Sequence, residues 1–399
     1  MKQKVVIIGH GYTSRLGMIR AYGSCGYEVI VIVMAGSPKN KPIDCYSRYV
    51  SSIYYCPSDR EALINLLLDK CADPEQKVVI IPDSDFSAAA IDLNQDRLRD
   101  YFVFPNIGGE QGAVVGWMNK IRQKNTAAKV GLNYAKCWTV RVVDGKFDLP
   151  DDIGYPCFPK PMATIVGGKG GMKRCNDETE LRGVIARLSA YQSEIEILIE
   201  EFKNIETEYA VLGYSDGGNV IIPGVIEILS LANGGHFGVA KCGRIMPTED
   251  FSDLIEKFRL FVKETGFLGI FDIDFYKSDG IFFFGEMNLR YGGSGYALTK
   301  MGVNIPDMLA RRLLGLGLDG MQTAISSTAV YANERMCISD WSYGYISTCE
   351  YLRILKKADI RFIKDPDDPD PQKQFLRSHF NFRMNAKRIV KRFLYLTNR

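Results

Sequence analysis

Only three histidines occur in the 399 residues, and His10, His236 and His379 sit in unrelated contexts. A serine–histidine or cysteine–histidine nucleophile therefore has little to stand on. The ten cysteines are scattered, with no Cys-x-x-Cys pair, which argues against a structural zinc site. A disulfide framework is not expected in a chain this large that opens without an export pattern. No apolar run approaches the roughly 20 residues a spanning helix needs. The net charge is only +3, which by itself favours neither nucleic acid nor a membrane surface. What is present is the balance of a globular protein, 46% apolar and 24% charged. The length exceeds one ordinary core, so two or three packed domains are expected.

The chain opens on Val5-Val6-Ile7-Ile8-Gly9, a buried strand rather than a signal peptide. Strands at 5–8, 28–34 and 77–82 alternate with helices at 16–25 and 60–71, the pattern of a parallel, Rossmann-like sheet over residues 1–115. The turn Gly9-His10-Gly11 lacks the third glycine of the dinucleotide fingerprint, and no acid ends the second strand. It could still hold an anionic group at the helix start, with Arg15 adding charge. Residues 116–192 form a smaller unit. It has a helix over 120–130, strands at 138–143 and 158–161, a glycine stretch Gly167-Gly168-Lys169-Gly170-Gly171, and a helix over 177–192. Residues 193–331 are β-rich, with strands at 197–201, 208–214, 220–229, 269–276 and 281–286 and a helix over 250–265. The Asp279-Gly280 pair marks a hairpin turn. An extension follows over 332–399. Beyond Asp370 it carries no acid, while Lys373, Arg377, Arg383, Lys387, Arg388, Lys391, Arg392 and Arg399 are basic. The tail fits two readings, a basic surface helix docked on the body or contact with an anionic membrane surface or acidic partner.

The hairpin carries the strongest chemical signal. Asp272 and Asp274 alternate onto one face of its first strand, and Glu286 and Asn288 onto one face of its second. Carboxylates so gathered repel one another and raise each other's pKa. A hard divalent cation with oxygen ligands, such as magnesium, removes that penalty. Flanking residues as apolar as Ile270, Phe271, Ile273, Phe275 and Phe282–Phe284 do not suit a solvated surface strand. Upstream, Lys160 lies on a short strand between Pro159 and Pro161, aimed at an anion or extended toward water. The glycine stretch directly after it suits close approach to phosphates and a closing lid. The apolar strand Ile197-Leu198-Ile199 ends in Glu200-Glu201-Phe202, with Glu208 beyond. Such a segment could read an adenine edge and hold ribose hydroxyls.

In this order, the lysine, glycine stretch, strand with glutamates and acid/Glu-x-Asn hairpin resemble the ATP-grasp superfamily. The span 265–293 resembles its carboxylate–amine ligases, with D-aspartate-ligase-like and carbamoyl-phosphate-synthase-like proteins as relatives. The resemblance covers roughly residues 100–315 and implies a two-part α+β catalytic fold after an N-terminal α/β pre-ATP-grasp domain. It implies that Lys120 and Lys160 contact ATP phosphates, that Glu200, Glu201 and Phe202 line the adenine hinge, and that Glu208 holds the ribose. Asp274, Glu286 and Asn288 would bind Mg2+, and Arg290 would steady the phosphoryl group or an acyl phosphate. Two positions depart from the pattern. Spacing to Glu286 matches Asp274 to a biotin-carboxylase-like hairpin and Asp272 to a D-aspartate-ligase-like one, with Asp274 preferred. Leu289 stands where proline usually follows the asparagine.

The implied activity is an ADP-forming, ATP- and Mg2+-dependent ligase of the cytoplasm, joining a small-molecule carboxylate to an amine. Its alternative is a non-catalytic nucleotide-binding protein serving assembly, for instance of cell-surface polymers. A homodimer fits either reading, and nucleic acid is not an expected partner. The loops holding Arg15, Tyr291–Ser294 and residues 230–245 are the expected places for substrate specificity.

Overall fold

The computed structural model describes residues 2–11, 13–162, 172–190, 192–233 and 238–379. The glycine stretch 167–171, His236 and the basic residues from Arg383 onward lie outside them.

The described residues hold three sheets. The first is parallel and contains β1 (Lys4–Gly9), β2 (Glu28–Met34), β3 (Val50–Cys56), β4 (Val78–Pro82) and β5 (Phe102–Val103), in the order β3-β2-β1-β4-β5. The unbroken Val/Ile runs of β1, β2 and β4 follow from burial of both faces. Val6, Ile8, Ile30, Ile32 and Ile80 meet helices α2 (Arg60–Leu66) and α3 (Asp85–Asp92). Val5, Ile7, Val31 and Val79 meet α1 (Thr13–Ser24) in a core that continues into Leu212, Tyr214, Tyr296 and Leu298 of the later chain. Each such side chain contributes roughly 1.5–3 kcal/mol when fully buried, so this shared core ties the parallel sheet to the rest of the molecule. Asp59 caps α2 by accepting from the Ala62 amide at 2.8 Å, and the helix continues through a π turn at Leu67–Cys71.

A three-stranded antiparallel sheet places Glu194–Glu201 between Cys137–Val143 and Cys157–Pro161. The helix Glu178–Ser189 covers it with Leu181, Val184 and Ile185. The third sheet is built around Thr207–Asp216, which pairs antiparallel with Phe267–Ser278, itself paired with Ile281–Asn288. Its odd face, Val211, Phe271, Ile273 and Phe275, packs on Ile255, Phe258 and Val262 of the helix Ser252–Thr265.

The single strand expected over 220–229 is two, Val220–Ile221 and Val225–Leu231. Pro223 intervenes, and proline has no N–H to donate to a ladder. Its carbonyl instead accepts from Ile325. The strands Val50–Cys56 and Ala240–Met246 were not anticipated. Among the described residues no helix is long and apolar enough to cross a membrane.

Candidate active site

The even face of the third sheet changes character along its length. At one end Leu212, Tyr214 and Ile270 belong to the shared core. Further along, that core stops and polar groups begin. Cross-strand partners place Leu212 beside Asp272, Ala210 beside Asp274 and Glu208 beside Tyr276. The next strand sets Asn288 opposite Asp272 and Glu286 opposite Asp274. Directly opposed residues point to the same side, so Glu208, Asp272, Asp274, Glu286 and Asn288 share one face.

A β-bulge makes this possible. On the first hairpin strand, the odd Phe271, Ile273 and Phe275 are apolar and the even Asp272 and Asp274 acidic. On the second, Phe282, Phe284, Glu286 and Asn288 are all even. A regular ladder would send either the phenylalanines to the site or the acids to the core. The register shifts between Asp274 and Phe275, so that Phe284 opposes Phe275 while Glu286 opposes Asp274. Gly285 is the extra residue. A Cβ there would meet the Asp274 carbonyl oxygen at 2.8 Å, so only glycine fits without a shift.

The cationic side of the site rests on the helix Lys120–Lys129. Buried Gln123 docks that helix on the hairpin. Its Nε2 donates to the Met287 carbonyl at 2.9 Å, and its Oε1 accepts from the Met287 amide at 2.8 Å. Lys120 and Lys124, one turn apart on the same side, then reach two different carboxylates. Lys120 Nζ lies 3.1 Å from Glu286 Oε2. Lys124 Nζ lies 2.7 Å from Glu200 Oε1, and Lys160 Nζ 2.8 Å from Glu200 Oε2. Burial alone would lower the Lys160 ammonium, but Glu200 and Glu286 outweigh it and leave its pKa raised. Burial alone would raise the Glu200 carboxyl, but Lys160 and Lys124 reverse this and hold it low.

Arg290 closes the other end. Its Nε donates to Asp85 Oδ1 at 2.8 Å and its Nη2 to Asn288 Oδ1 at 3.3 Å. Asn288 Nδ2 donates to Asp274 Oδ2 at 3.2 Å. Burial pushes the Asp272 carboxyl up to about 6, with Arg290 opposing and Glu286 adding to the rise. A Cβ on Gly292 would lie 2.2 Å from Asp272 Oδ2, so the glycine makes room for that carboxylate. At the opposite end Tyr276 stacks on Phe283, centroids 5.6 Å apart at 12°. Lys203 Nζ sits 5.2 Å over the Phe283 ring and 2.9 Å from Glu201 Oε1.

No family model matches the chain. The carbamoyl phosphate synthase large chain of Gemmatimonas aurantiaca is 24% identical over 329 residues, 79% of this chain but 29% of that protein. The chain thus spans under a third of this curated relative. The L-amino acid ligase from Bacillus licheniformis superposes with a TM-score of 0.59 at 17% identity, over 83% of this chain and 79% of that one. The biotin carboxylase from Campylobacter jejuni, in complex with β,γ-ATP, superposes with a TM-score of 0.62 at 17% identity, over 82% and 74%. The chain has the ATP-grasp fold.

Within this ATP-grasp frame the structure brings Lys120, Lys160, Glu200, Asp274, Glu286, Asn288 and Arg290 into one linked set of contacts. Glu200 bridges two lysines. Glu201, with Lys203, neighbours the aromatic pair, and Phe202 lies under Arg174, 4.7 Å from ring to guanidinium. The amides of Glu201 and Phe202 donate to the Lys136 and Pro156 carbonyls. Burial raises the Glu208 carboxyl. Arg15 is not a free cation of the first turn. It is fully buried, paired with Asp44 and donating to the Gly9 carbonyl. Tyr291 is likewise buried.

Sequence reading missed Lys124, Tyr276 and Asp85. Lys124 had a signal, its i+4 spacing from Lys120. Asp85 had none, because its partner Arg290 lies 205 positions away. It also missed Asp83, which directly follows β4 at the point where strand order reverses between β1 and β4, a usual place for ligands in open parallel sheets. Burial pushes the Asp83 carboxyl up to about 7, although Arg15 and Arg290 pull it down.

Among the described residues no three His, Cys, Asp or Glu side chains converge as ready-made metal ligands. Two carboxylates and an amide nonetheless fit magnesium, which keeps water and phosphate oxygens in its shell.

Proposed function

We propose that the protein is an ADP-forming ligase that uses ATP and magnesium to join a carboxylate to an amine through an acyl phosphate. The observation that carries this reading is the opposed pair Asp274–Glu286 beside Asp272–Asn288, faced by Lys120 and Lys160. In it, the nucleotide lies along the even face. Tyr276 and Phe283 floor the base, beside Glu201 and Phe202. Because the Glu201 and Phe202 amides are already used, other backbone groups of that segment read the base. Glu208 holds the ribose.

Lys120 and Lys160 exchange their present carboxylate partners for phosphate oxygens. Asp274, Glu286 and Asn288 would hold magnesium, which when bound neutralises phosphate charge and orients the γ-phosphoryl group. Arg290, kept in place by Asp85, presents its guanidinium to the phosphoryl oxygens. The substrate carboxylate attacks in line, and catalysis is positioning and electrostatics rather than protein nucleophilicity. The amine then displaces phosphate from the acyl phosphate. The glycine stretch 167–171 is the proposed lid, and segments 1–115, 116–192, 193–331 and 332–399 the proposed functional units. The ten cysteines are free thiols, which supports a reducing, cytoplasmic setting.

The test is a screen of amino acids and small acids for ADP release with ATP and magnesium. With a responding acid, hydroxylamine should trap a hydroxamate before any amine is added, and carboxylate oxygen-18 should appear in phosphate. Formation of AMP and pyrophosphate would overturn the reading in favour of adenylation.

A further inference from the structure

A cavity of about 490 Å³ lies away from the hairpin, between the edge strand β3 and the C-terminal helix Asp370–His379. That volume falls in the range of small-ligand sites. Its lining includes the hydroxyl-bearing Ser47, Ser51 and Ser52 and the cations Lys41, Lys373 and Arg377. One acid, Asp370, faces these three cations. It is engaged by Lys373 at 2.8 Å. That hydrogen bond holds its carboxyl low, with Arg377 and Arg48 adding to the effect. Lys41 rests over the Tyr46 ring at 4.4 Å rather than on a carboxylate. No ion pair to Arg377 is present among the described residues.

Residues 380–399 contain six lysines and arginines and no acid, so they are not complementary to this cavity. Serine hydroxyls together with several cationic N–H donors are the chemistry of phosphate recognition.

We propose that this cavity is a second ligand site, distinct from the hairpin site, that binds a phosphate-bearing anion through Lys41, Lys373, Arg377 and the serines of β3. The anion is either a free metabolite or the headgroup of an anionic lipid, because both present the same phosphate oxygens.

The experiment titrates inorganic pyrophosphate into the full chain by calorimetry, with the hairpin site first saturated by magnesium and β,γ-imido-ATP. Saturable binding is expected, and Arg377→Glu and Lys41→Glu should each weaken it by about tenfold or more, the effect of losing one charge-assisted contact. Arg377→Lys should weaken it less. Both positions are solvent-accessible, and unchanged β,γ-imido-ATP affinity shows that the variants are folded. Lys146→Glu, an exposed cation elsewhere, should change nothing. A parallel arm measures co-sedimentation with phosphatidylglycerol vesicles. Vesicle binding displaced by pyrophosphate identifies the headgroup, and pyrophosphate binding without vesicle binding identifies a free metabolite. No saturable pyrophosphate binding, or equal loss with Lys146→Glu, overturns the proposal.

Discussion

The contact between Asp85 and Arg290 shows how a site residue can depend on a distant one. Asp85 is the first residue of α3, where the positive helix end suits a carboxylate, and Ser84 caps that helix. Arg290 is thereby aimed by a different part of the fold from the one that carries it. Asp85→Asn should keep ATP affinity but lower ADP release about 10- to 100-fold, the usual effect of losing an orienting partner. Equal turnover in the variant would show that Asn288 alone orients Arg290. Asp83 gives a pH prediction. Its folded carboxyl sits near 7 against an ordinary 3.8, so the folded state binds the extra proton between those values. Stability contributed by this group therefore falls as pH rises from about 4 to 7 and stays low above. Asp83→Asn should raise the melting temperature more at pH 8 than at pH 5, and thermal unfolding at the two pH values checks it. Lys124 and Glu200 carry a further lesson at this scale. Glu200 was expected in the site, but its pairing with Lys124 across 76 positions is seen only in the structure.

The hairpin is the element on which the site depends, and its bulge is the detail that sets the chemistry. Gly285→Ala should cost about 1–3 kcal/mol, because the added methyl meets backbone and not a yielding side chain. Denaturant unfolding measures that. Deleting Gly285 should be far worse, since it restores a regular ladder and turns Glu286 and Asn288 toward Phe258 and Ile273. Glu286→Gln is the complementary change. It keeps shape but removes the charge of the proposed magnesium ligand and the partner of Lys120. ADP release should drop about 100-fold or more with little change in melting temperature. Full activity in this variant, or in excess chelator, would sink the metal assignment. Alternation along the strands was readable from sequence. The bulge was not read, although the clash of parity between Phe284 and Glu286 around a glycine was its signal.

At the scale of the molecule, the extension after Ala332 is part of the body up to His379. Arg20 of α1 is almost fully buried and donates to Asp368 Oδ2 at 2.9 Å, to the Phe362 carbonyl at 2.8 Å and to the Ile363 carbonyl at 2.9 Å. Asp368 is fully buried too. The acid-rich turn 365–371 is therefore an internal clamp on the parallel sheet. Arg20→Ala should destabilise by about 3–5 kcal/mol, because it strands a buried carboxylate, and urea unfolding tests this. Phe375 packs with Ile338 and Ile363, so a truncation meant to spare the fold should remove nothing before residue 380.

The sequence by itself determined the parallel sheet and the polarity of the hairpin. Both follow from local periodicity, in which continuous Val/Ile runs need two covered faces and alternating acids and aromatics need one. It also put Lys120, Lys160, Glu286 and Asn288 on elements whose order is that of the ATP-grasp fold. Only the tertiary structure decided which groups meet. Arg15 went to Asp44 instead of an anion, Arg290 to Asp85, and Glu200 to two lysines. The physical reason is that an ionic contact is chosen by burial and distance in space. Neither quantity is written in the spacing of residues that lie 29, 205 or 76 positions apart.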